Sequence, residues 1–450
     1  MGFPEKDIEI VELDGAGRLC ATYVQTEVGT GIEEGKRVDV LDSLQAFSSS
    51  IAGLLSSRAV LEGVGVGDST ATPTAALILS TTTDSVSRLC TILLAHRLGT
   101  ALAPECKRYR LMADILNDFG MILDLLSPAI PLGLSWILGG RWTVLCAASC
   151  LRAGCGVLAG GAKASLSTKF ARGADVGELN AKDASQETVI SLLGTLTGTL
   201  VVRLITSPTA TWIALLVLLA IHLTTNYLAV RAVTMSSLNR QRANIVFSEM
   251  LSSGRVLDPK EVAIREKVFE EDGVLRWIDG SRLGWAKVGV RLGKVLGRMG
   301  KTELKTGSVK LESEPGVIAL EEFRAKWRSD GYALWWDDAS SMAYITLMQG
   351  CSPRQQLRAW MLALVVAATA KGIRTERLRV ETGIQTELQQ VVMDDRMKVG
   401  VPQVADACKQ VMVFWQKHER TLEEAGWDLD AAVLETRPGT RVSRQLLTTE

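Results

Sequence analysis

A long uncharged stretch near the middle of the chain most constrains how it can fold. From Leu204 to Val230 there is no Asp, Glu, Lys or Arg, and after Pro208 the sequence reads TATWIALLVLLAIHLTTNYLAV, residues 209–230. At a rise of about 1.5 Å per residue, a helix of this length crosses a hydrocarbon core of about 30 Å. The stretch predicts a transmembrane helix over 209–230; the alternative is a buried helix in a large soluble bundle.

Weaker apolar segments precede this one. Residues 125–140 carry no charge, but Pro128 and Pro131 interrupt them, whereas 142–162 contain a single charged residue and 188–202 contain none. Ser207 and Pro208 predict a turn between a helix over 188–206 and the one over 209–230. The number of membrane spans stays open.

Three basic residues, Arg231, Arg240 and Arg242, follow the uncharged stretch. Positive charge beside a transmembrane helix favours the cytosolic side of the membrane. The expected location is therefore an intracellular membrane with the C-terminal domain in the cytosol. The opening residues MGFPEKDIEI lack the apolar run of a secretory signal and are consistent with this location.

Charge balance excludes two classes of protein. Lys and Arg total 50, Asp and Glu total 50, and hydrophobic residues make up 47% of the 450 residues. A nucleic-acid binder that acts through bulk positive charge needs a basic excess, and a disordered chain needs few apolar residues. We therefore expect a folded protein with membrane lipid and no nucleic acid among its partners.

The predicted fold is mainly α, an apolar membrane-associated helical domain followed by a small α+β domain. The sequence predicts four regions. Residues 1–39 form a hairpin, with strands at 8–13 and 19–24, followed by a loop, and 40–260 form the helical domain. Residues 261–315 form a basic amphipathic linker, and 316–450 form the α+β domain. In the last domain we expect strands at 332–336, 341–348 and 427–434 and helices at 353–371 and 402–425.

The linker pattern is basic on one side. Residues 273–310 hold nine basic and two acidic residues, and basic side chains recur every three or four positions at Lys287, Arg291, Lys294, Arg298 and Lys301. Apolar residues follow the neighbouring face at Trp285, Val288, Leu292, Val295 and Met299. A basic amphipathic helix on an anionic membrane surface is one interpretation, and ordinary packing against the domain is the other.

Polar residues in apolar surroundings are the candidate functional positions. Asp114, Asn117 and Asp118 share one helix face, and Asp124 follows on the adjoining side. Acidic groups in an apolar region are costly unless they are paired or functional. They indicate either a polar or metal-binding site built from oxygen ligands or helix–helix contacts to Arg152 or Lys182.

A second group begins at Lys182, which shares a helix face with Gln186, while Asp183 shares one with Glu187. A buried lysine can form a Schiff base, so pyridoxal phosphate is a candidate cofactor; pairing with acids is the simpler interpretation. Arg203 and His222 are polar positions inside the predicted membrane segments.

Catalytic patterns are not recognisable in the sequence. It contains no Ser-His-Asp, HExxH or kinase set, and its eight cysteines and three histidines lack the close pairing of a zinc site. Gly63–Asp68 lacks the lysine of a phosphate loop. We expect a protein that is not an enzyme and holds no metal.

Several polar motifs in a fixed order carry a family resemblance. They are DSLQAF (42–47), AVLEGVGVGDSTATPTAA (59–76), KRYRLMADILNDFGMILDLLSPAIP (107–131), GADVGELNAKDASQET (173–188), NYLAVRAVTMSSLN (226–239) and GRVLDP (254–259). This set resembles the root UVB sensitive (RUS) family, whose domain is named for vitamin B6 photo-protection and homoeostasis. The resemblance covers about 40–260, and altered motifs such as GGAKAS (160–165) mark a divergent member.

The resemblance implies a membrane-associated protein without established enzymatic activity that acts in vitamin B6 homeostasis and UV-B responses, together with another family member as partner. A carrier of a small polar metabolite such as a B6 vitamer is the alternative function, and a pyridoxal-phosphate-binding protein the third. The positions that match family motifs are Asp42, Gln45, Asp114, Asn117, Asp118, Lys182, Gln186, Glu187 and Asn226.

Overall fold

Helices dominate the described part of the chain. The computed structural model describes residues 9–13, 19–24, 31–64, 73–130, 140–171, 176–299, 301–302, 309–310, 330–373, 375–383 and 401–443. At the N-terminus, β1 (Glu9–Leu13) and β2 (Leu19–Val24) pair antiparallel and confirm the predicted hairpin.

Six long helices form a bundle in the first half of the chain. They are α1 (Gly31–Val64), α2 (Pro73–Leu98), α3 (Cys106–Leu126), α4 (Arg141–Ala171), α5 (Val176–Leu204) and α6 (Pro208–Ala232). Helix α3 packs against α1, α4 and α6, whereas α1 also packs against α5 and α6, and α2 lies on α4. Helix α5 ends at Leu204 and α6 begins at Pro208, so the chain turns where Ser207-Pro208 predicted it. Both of these helices pack against α1.

Contacts between side chains fix the helix directions. Gln45 on α1 contacts Asp114 on α3, and Ser56 on α1 contacts Asp124 on α3. The contacts follow the same order along both helices, so α1 and α3 run parallel. Asp114 also meets Asn226 on α6, which runs antiparallel to both. One end of the bundle therefore carries the starts of α1 and α3 and the end of α6.

Two glycines allow α5 to lie close to α1. A Cβ on Gly194 would lie 2.9 Å from the carbonyl oxygen of Phe47, and one on Gly198 would lie 2.7 Å from Leu54 Cδ1. Gly156 and Gly160 on α4, which share the same four-residue spacing, would meet nothing within 4 Å. Small-residue spacing therefore marks a close helix contact on α5 and open space on α4.

Three helices among the described residues are long and apolar enough to cross a membrane. They span Arg141–Thr168, Val176–Leu204 and Pro208–Ala232, and the last contains the predicted segment 209–230. Helix α5 is the most outward-facing of them, with Leu196 61% and Leu200 57% exposed. Exposed leucines along a helix of this length are typical of a lipid-facing surface.

The second half of the chain is a small α+β unit. Strands β3 (Val274–Arg276), β4 (Arg282–Val288), β7 (Tyr332–Asp337), β8 (Met342–Met348) and β9 (Arg441–Val442) form a sheet in the order β3-β4-β8-β7, with β9 also paired to β8. Among the described strands of this sheet, the β4–β8 and β8–β9 pairs are parallel and the β3–β4 and β7–β8 pairs are antiparallel. Strands β5 (Lys301–Thr302) and β6 (Val309–Lys310) form a separate short pair.

Helices α7 (Arg240–Ser253), α8 (Pro259–Arg265), α9 (Leu292–Met299), α10 (Pro353–Ala370), α11 (Glu376–Thr382) and α12 (Val401–Glu424) complete this unit. Trp360 on α10 is fully buried with Phe247 and Phe414 in the core beneath the sheet. Helix α7 belongs to this core, although it precedes residue 260. The α+β prediction and its two helices are confirmed.

Three local predictions were wrong. The amphipathic helix predicted through Trp285 and Lys287 is instead β4, which pairs with β3 and β8 and buries Leu283 and Ala286 in the core. Among the described residues of 273–310, only Leu292–Met299 is helical. The loop predicted up to residue 39 is helical from Gly31 onward. Within this helical part, Val38 packs against the apolar cluster around Cys106. Residues 427–434 form no strand beyond one bridge from Asp428 to Ser237.

Candidate functional site

Five polar side chains meet in the interior of the bundle, where α1, α3 and α6 pack together. This polar cluster consists of Gln45, Asp114, Asp118, His222 and Asn226, all at most 6% exposed. All five are motif or membrane positions predicted from the sequence, and they lie on three helices. Tertiary packing brings them into one buried site.

The spacing of polar residues on α3 matches that on α6, so the two helices can pair these side chains. Asp114 and Asp118 are one turn apart on α3, and His222 and Asn226 are one turn apart on α6. Because the helices run antiparallel, Asp114 faces Asn226 while Asp118 faces His222. The four side chains therefore form two matched layers.

Asp114 is hydrogen-bonded to two other members of the polar cluster. Its Oδ2 accepts from the side-chain amides of both Gln45 and Asn226. Arg110, one turn earlier on α3, donates through Nη2 to Gln45 Oε1 at 3.4 Å and lies 3.9 Å from Asp42 Oδ1. This arrangement connects a buried carboxylate through an amide to a guanidinium nearer the bundle end.

His222 lies between the two aspartates. Its Nδ1 is 2.8 Å from Asp118 Oδ1, and its Nε2 is 3.8 Å from Asp114 Oδ2. Among the described residues, both carboxylate oxygens of Asp118, His222 Nδ1 and Asn226 Oδ1 are buried without an aligned hydrogen-bond partner. Buried polar atoms in folded proteins usually have hydrogen-bond partners, so these unpaired atoms indicate a site that can still bind another group.

A second polar layer lies further along α3, on the other side of an apolar layer. Asp124 accepts from Arg152 of α4, with Nη2 at 3.3 Å from Oδ1, and from Ser56 Oγ at 2.9 Å. The apolar layer between this group and the polar cluster consists of Ala52, Met121, Leu215 and Leu219. The Asp124–Arg152 contact is one of the helix–helix pairs that the sequence left open for these acids.

Other predicted positions lie outside the polar cluster. Lys182 is 73% exposed and pairs with Glu178 at 2.7 Å. Lys182 therefore has the acid pairing of the simpler interpretation and lacks the burial on which the Schiff-base hypothesis rested. Glu187 pairs with Lys163 at 3.1 Å on the surface, Asn117 is half-buried, and Gln186 and Arg203 are exposed.

The junction between the bundle and the α+β unit holds ion pairs that sequence reasoning missed. Lys107 and Arg242 both lie 2.7 Å from oxygens of the buried Glu266. Burial opposes the ionisation of Glu266, but Arg242 and Lys107 outweigh it and lower the pKa of this carboxyl. Arg240 contacts Asp272. Of the arginines used to predict orientation, only Arg231 is exposed.

Glu105 stands beside this junction at the start of α3. Burial raises the pKa of Glu105 to about 7, although Arg242 and Arg240 act in the opposite direction. It lines a small cleft with Arg108, Arg240 and the segment Glu270–Val274. No group of three or more His, Cys, Asp or Glu within the described residues is placed to hold a metal ion.

Comparisons with known proteins cover nearly the whole of both units. Residues 39–254 match the family model described as the vitamin B6 photo-protection and homoeostasis domain, and residues 255–437 match the one described as root UVB sensitive protein, C-terminal. The polar cluster lies entirely within the first match.

Curated relatives agree with the family models. RUS family member 1 of Dictyostelium discoideum is 37% identical over 232 residues, 51% of this chain and 43% of that protein. Protein root UVB sensitive 3 of Arabidopsis thaliana is 35% identical over 229 residues, 51% of this chain and 50% of that protein. The matches span about half the length of these relatives. No solved structure matches the chain.

Proposed function

The chain belongs to the root UVB sensitive family, and we propose that it is a non-enzymatic integral membrane member acting in vitamin B6 homeostasis and UV-B-related signalling. The family models and the names of the relatives support the role. The membrane part rests on one observation above the others: the Pro208–Ala232 helix is long, uncharged until Arg231, and exposes Ile213 and Val217.

Alkaline carbonate extraction tests the membrane part. The full chain should stay in the membrane pellet, because burying the outward face of α6 in lipid is favourable. The double substitution Ile213→Lys and Val217→Lys places two charges on that face and should release the protein. Val380→Lys, at a 75% exposed position in the α+β unit, is the matched control and should stay in the pellet. Full release of the folded wild-type chain would contradict the proposal.

We place the α+β unit on the cytosolic side of an intracellular membrane. Arg231 supports this orientation, since it is exposed at the end of α6 next to that unit. Protease protection in sealed vesicles measures it: cleavage of the unit from the cytosolic face is expected, and protection there would reverse the orientation. A second RUS-family protein is the expected partner, and co-purification from cells that express both tests it.

The metabolic role is tested through B6 vitamer pools. In cells that lack this chain, chromatography should reveal an altered amount of pyridoxal phosphate, which the wild-type chain restores. Asp118→Asn should restore it less well than Asp183→Asn, because Asp118 is buried in the polar cluster whereas Asp183 is a half-exposed surface partner of Lys163. Unchanged pools in the cells without the chain would remove the role.

A carrier of a small polar metabolite, such as a B6 vitamer, is the second candidate. The observation that favours it is the stack of two polar layers separated by Ala52, Met121, Leu215 and Leu219, with unused acceptors in one layer. In this conformation the polar side chains contact each other, so a carrier would need a second, open conformation. Uptake of labelled pyridoxine into proteoliposomes, lost on Asp118→Asn, would support it; no uptake above empty liposomes would exclude it for this vitamer.

A further inference from the structure

The polar cluster has more negative than positive charge close to it. Asp114 and Asp118 contribute two carboxylates at 6% and 2% exposure. Arg110 is the nearest guanidinium, and it is shared with Asp42 near the bundle end. An unbalanced charge inside a low-dielectric interior is strongly unfavourable, so a compensating positive charge is required there.

We propose that the polar cluster is a proton-binding site whose proton is held between His222 and Asp118. His222 Nδ1 and Asp118 Oδ1 lie 2.8 Å apart, an ion-pair distance, although neither atom has an aligned hydrogen-bond partner among the described residues. A single proton added to this pair resides either on the imidazole or on the carboxyl. Binding forms one N–H or O–H bond with a proton from water, and release reverses it without any transfer of electrons.

Unpaired buried atoms show that the site can take up a cation, and the grouping of its side chains favours a proton over a metal. Both oxygens of Asp118, His222 Nδ1 and Asn226 Oδ1 have no aligned hydrogen-bond partner among the described residues, and all three residues are at least nine-tenths buried. The ligand groupings expected of a metal site do not occur within the described ranges. Proton relays of Asp and His are a known use of such residues inside membrane bundles.

Asp124 provides a contrast within the same helix. It is equally buried, at 2% exposed, but Arg152 supplies a guanidinium to both of its oxygens and Ser56 adds a hydroxyl. Its charge is therefore balanced without a proton. The two aspartates differ in the cation available to them and not in burial.

Charged and titratable groups near the site lie toward the end of the bundle where α1 and α3 begin. They are Asp39 and Asp42 on α1, Arg110 on α3, Cys155 on α4, and Asp183 and Glu187 on α5. Toward the other end, Met121, Leu215 and Leu219 form the apolar layer. We therefore expect protons to exchange with the end that carries the α+β unit.

Two spectroscopic measurements on the full chain in detergent micelles test the site. Infrared spectra detect the C=O stretch of a protonated carboxylic acid, and ¹⁵N-histidine NMR detects an imidazolium. The chain contains only three histidines, so His96→Gln and His418→Gln assign the signal of His222. At neutral pH we expect either a carboxylic acid band that Asp118→Asn removes or an imidazolium signal of His222 that Asp118→Asn converts to the neutral form.

Asp124→Asn is the matched control and should leave both signals in place. Glu105, with its pKa raised to about 7, contributes its own carboxylic acid band at neutral pH, and Glu105→Gln identifies it. A protein with no carboxylic acid band beyond that of Glu105 and no His222 imidazolium would overturn the proposal, as would signals that respond equally to Asp118→Asn and Asp124→Asn.

The inference goes beyond the vitamin B6 role and does not depend on it. For the carrier alternative, the same proton would serve as a coupling ion. A proton detected without pyridoxine uptake would contradict only that alternative, whereas uptake without a proton would contradict only this inference.

Discussion

His222 Nδ1 lies 2.8 Å from Asp118 Oδ1 in the middle of a helical bundle. The two residues come from α6 and α3, and each is no more than 2% exposed. This buried histidine–carboxylate contact joins the two helices, so their packing depends on the charge of both side chains. Substitutions in the pair should therefore change the free energy of unfolding.

Removing one member of this pair should be more harmful than removing both. His222→Leu leaves Asp118 buried without its partner and should lower the free energy of unfolding by roughly 3–5 kcal/mol. The double variant Asp118→Leu and His222→Leu replaces the pair with apolar side chains and should recover much of the loss. Thermal unfolding in the same micelles measures both. Strictly additive losses would indicate that the two residues do not interact.

Glycines on α5 and α4 should respond oppositely to alanine. In Gly198→Ala the new Cβ would lie 2.7 Å from Leu54 Cδ1 and 3.2 Å from Ile51 Cα, so overpacking should destabilise the bundle by about 1–3 kcal/mol. Gly156→Ala meets open space and should stabilise α4 by up to about 1 kcal/mol through helix propensity. Equal shifts in the unfolding midpoint would argue against the close α1–α5 contact.

The protonation of Glu105 should make stability depend on pH. Burial raises its pKa from an ordinary 4.5 to about 7, so the folded state binds more protons than the unfolded state between these values. Stability therefore falls as the pH rises from about 5 to 8, by on the order of 3 kcal/mol from this group. The difference between wild type and Glu105→Gln isolates it, because the variant lacks the titration. Parallel pH profiles for the two proteins would refute the assignment.

A buried amide in the α+β core should be critical for its stability. Asn244 accepts from Trp360 Nε1 at 2.9 Å and donates to the carbonyl of Val274 at 2.8 Å. Asn244→Leu leaves the Trp360 N–H and the Val274 carbonyl without a partner in the core. It should lower the free energy of unfolding by about 1–3 kcal/mol for each unpaired group. Ser248→Ala is the control on the same helix, since Ser248 is buried but bonds only to the carbonyl of Ile245. Similar unfolding midpoints for the two variants would contradict this prediction.

Local sequence determined much of the architecture. The uncharged run at 209–230 predicted α6 because only a long helix places that many apolar residues together with all backbone groups paired. The α+β unit was also predictable, since β-rich runs at 332–336 and 341–348 precede the helical segments at 353–371 and 402–425. The order of polar motifs identified the family. These features depend on neighbours along the chain.

Tertiary structure decided what the polar residues do. Spacing placed Asp114 and Asp118 on one face of α3, but only the antiparallel packing of α6 put His222 and Asn226 opposite them. Lys182 matches a family motif equally well and lies exposed on α5. The strand β4 likewise depends on pairing with β8, which a spacing of three and four residues cannot reveal. Periodicity fixes which side chains share a face, whereas the partner helix or strand fixes what that face meets.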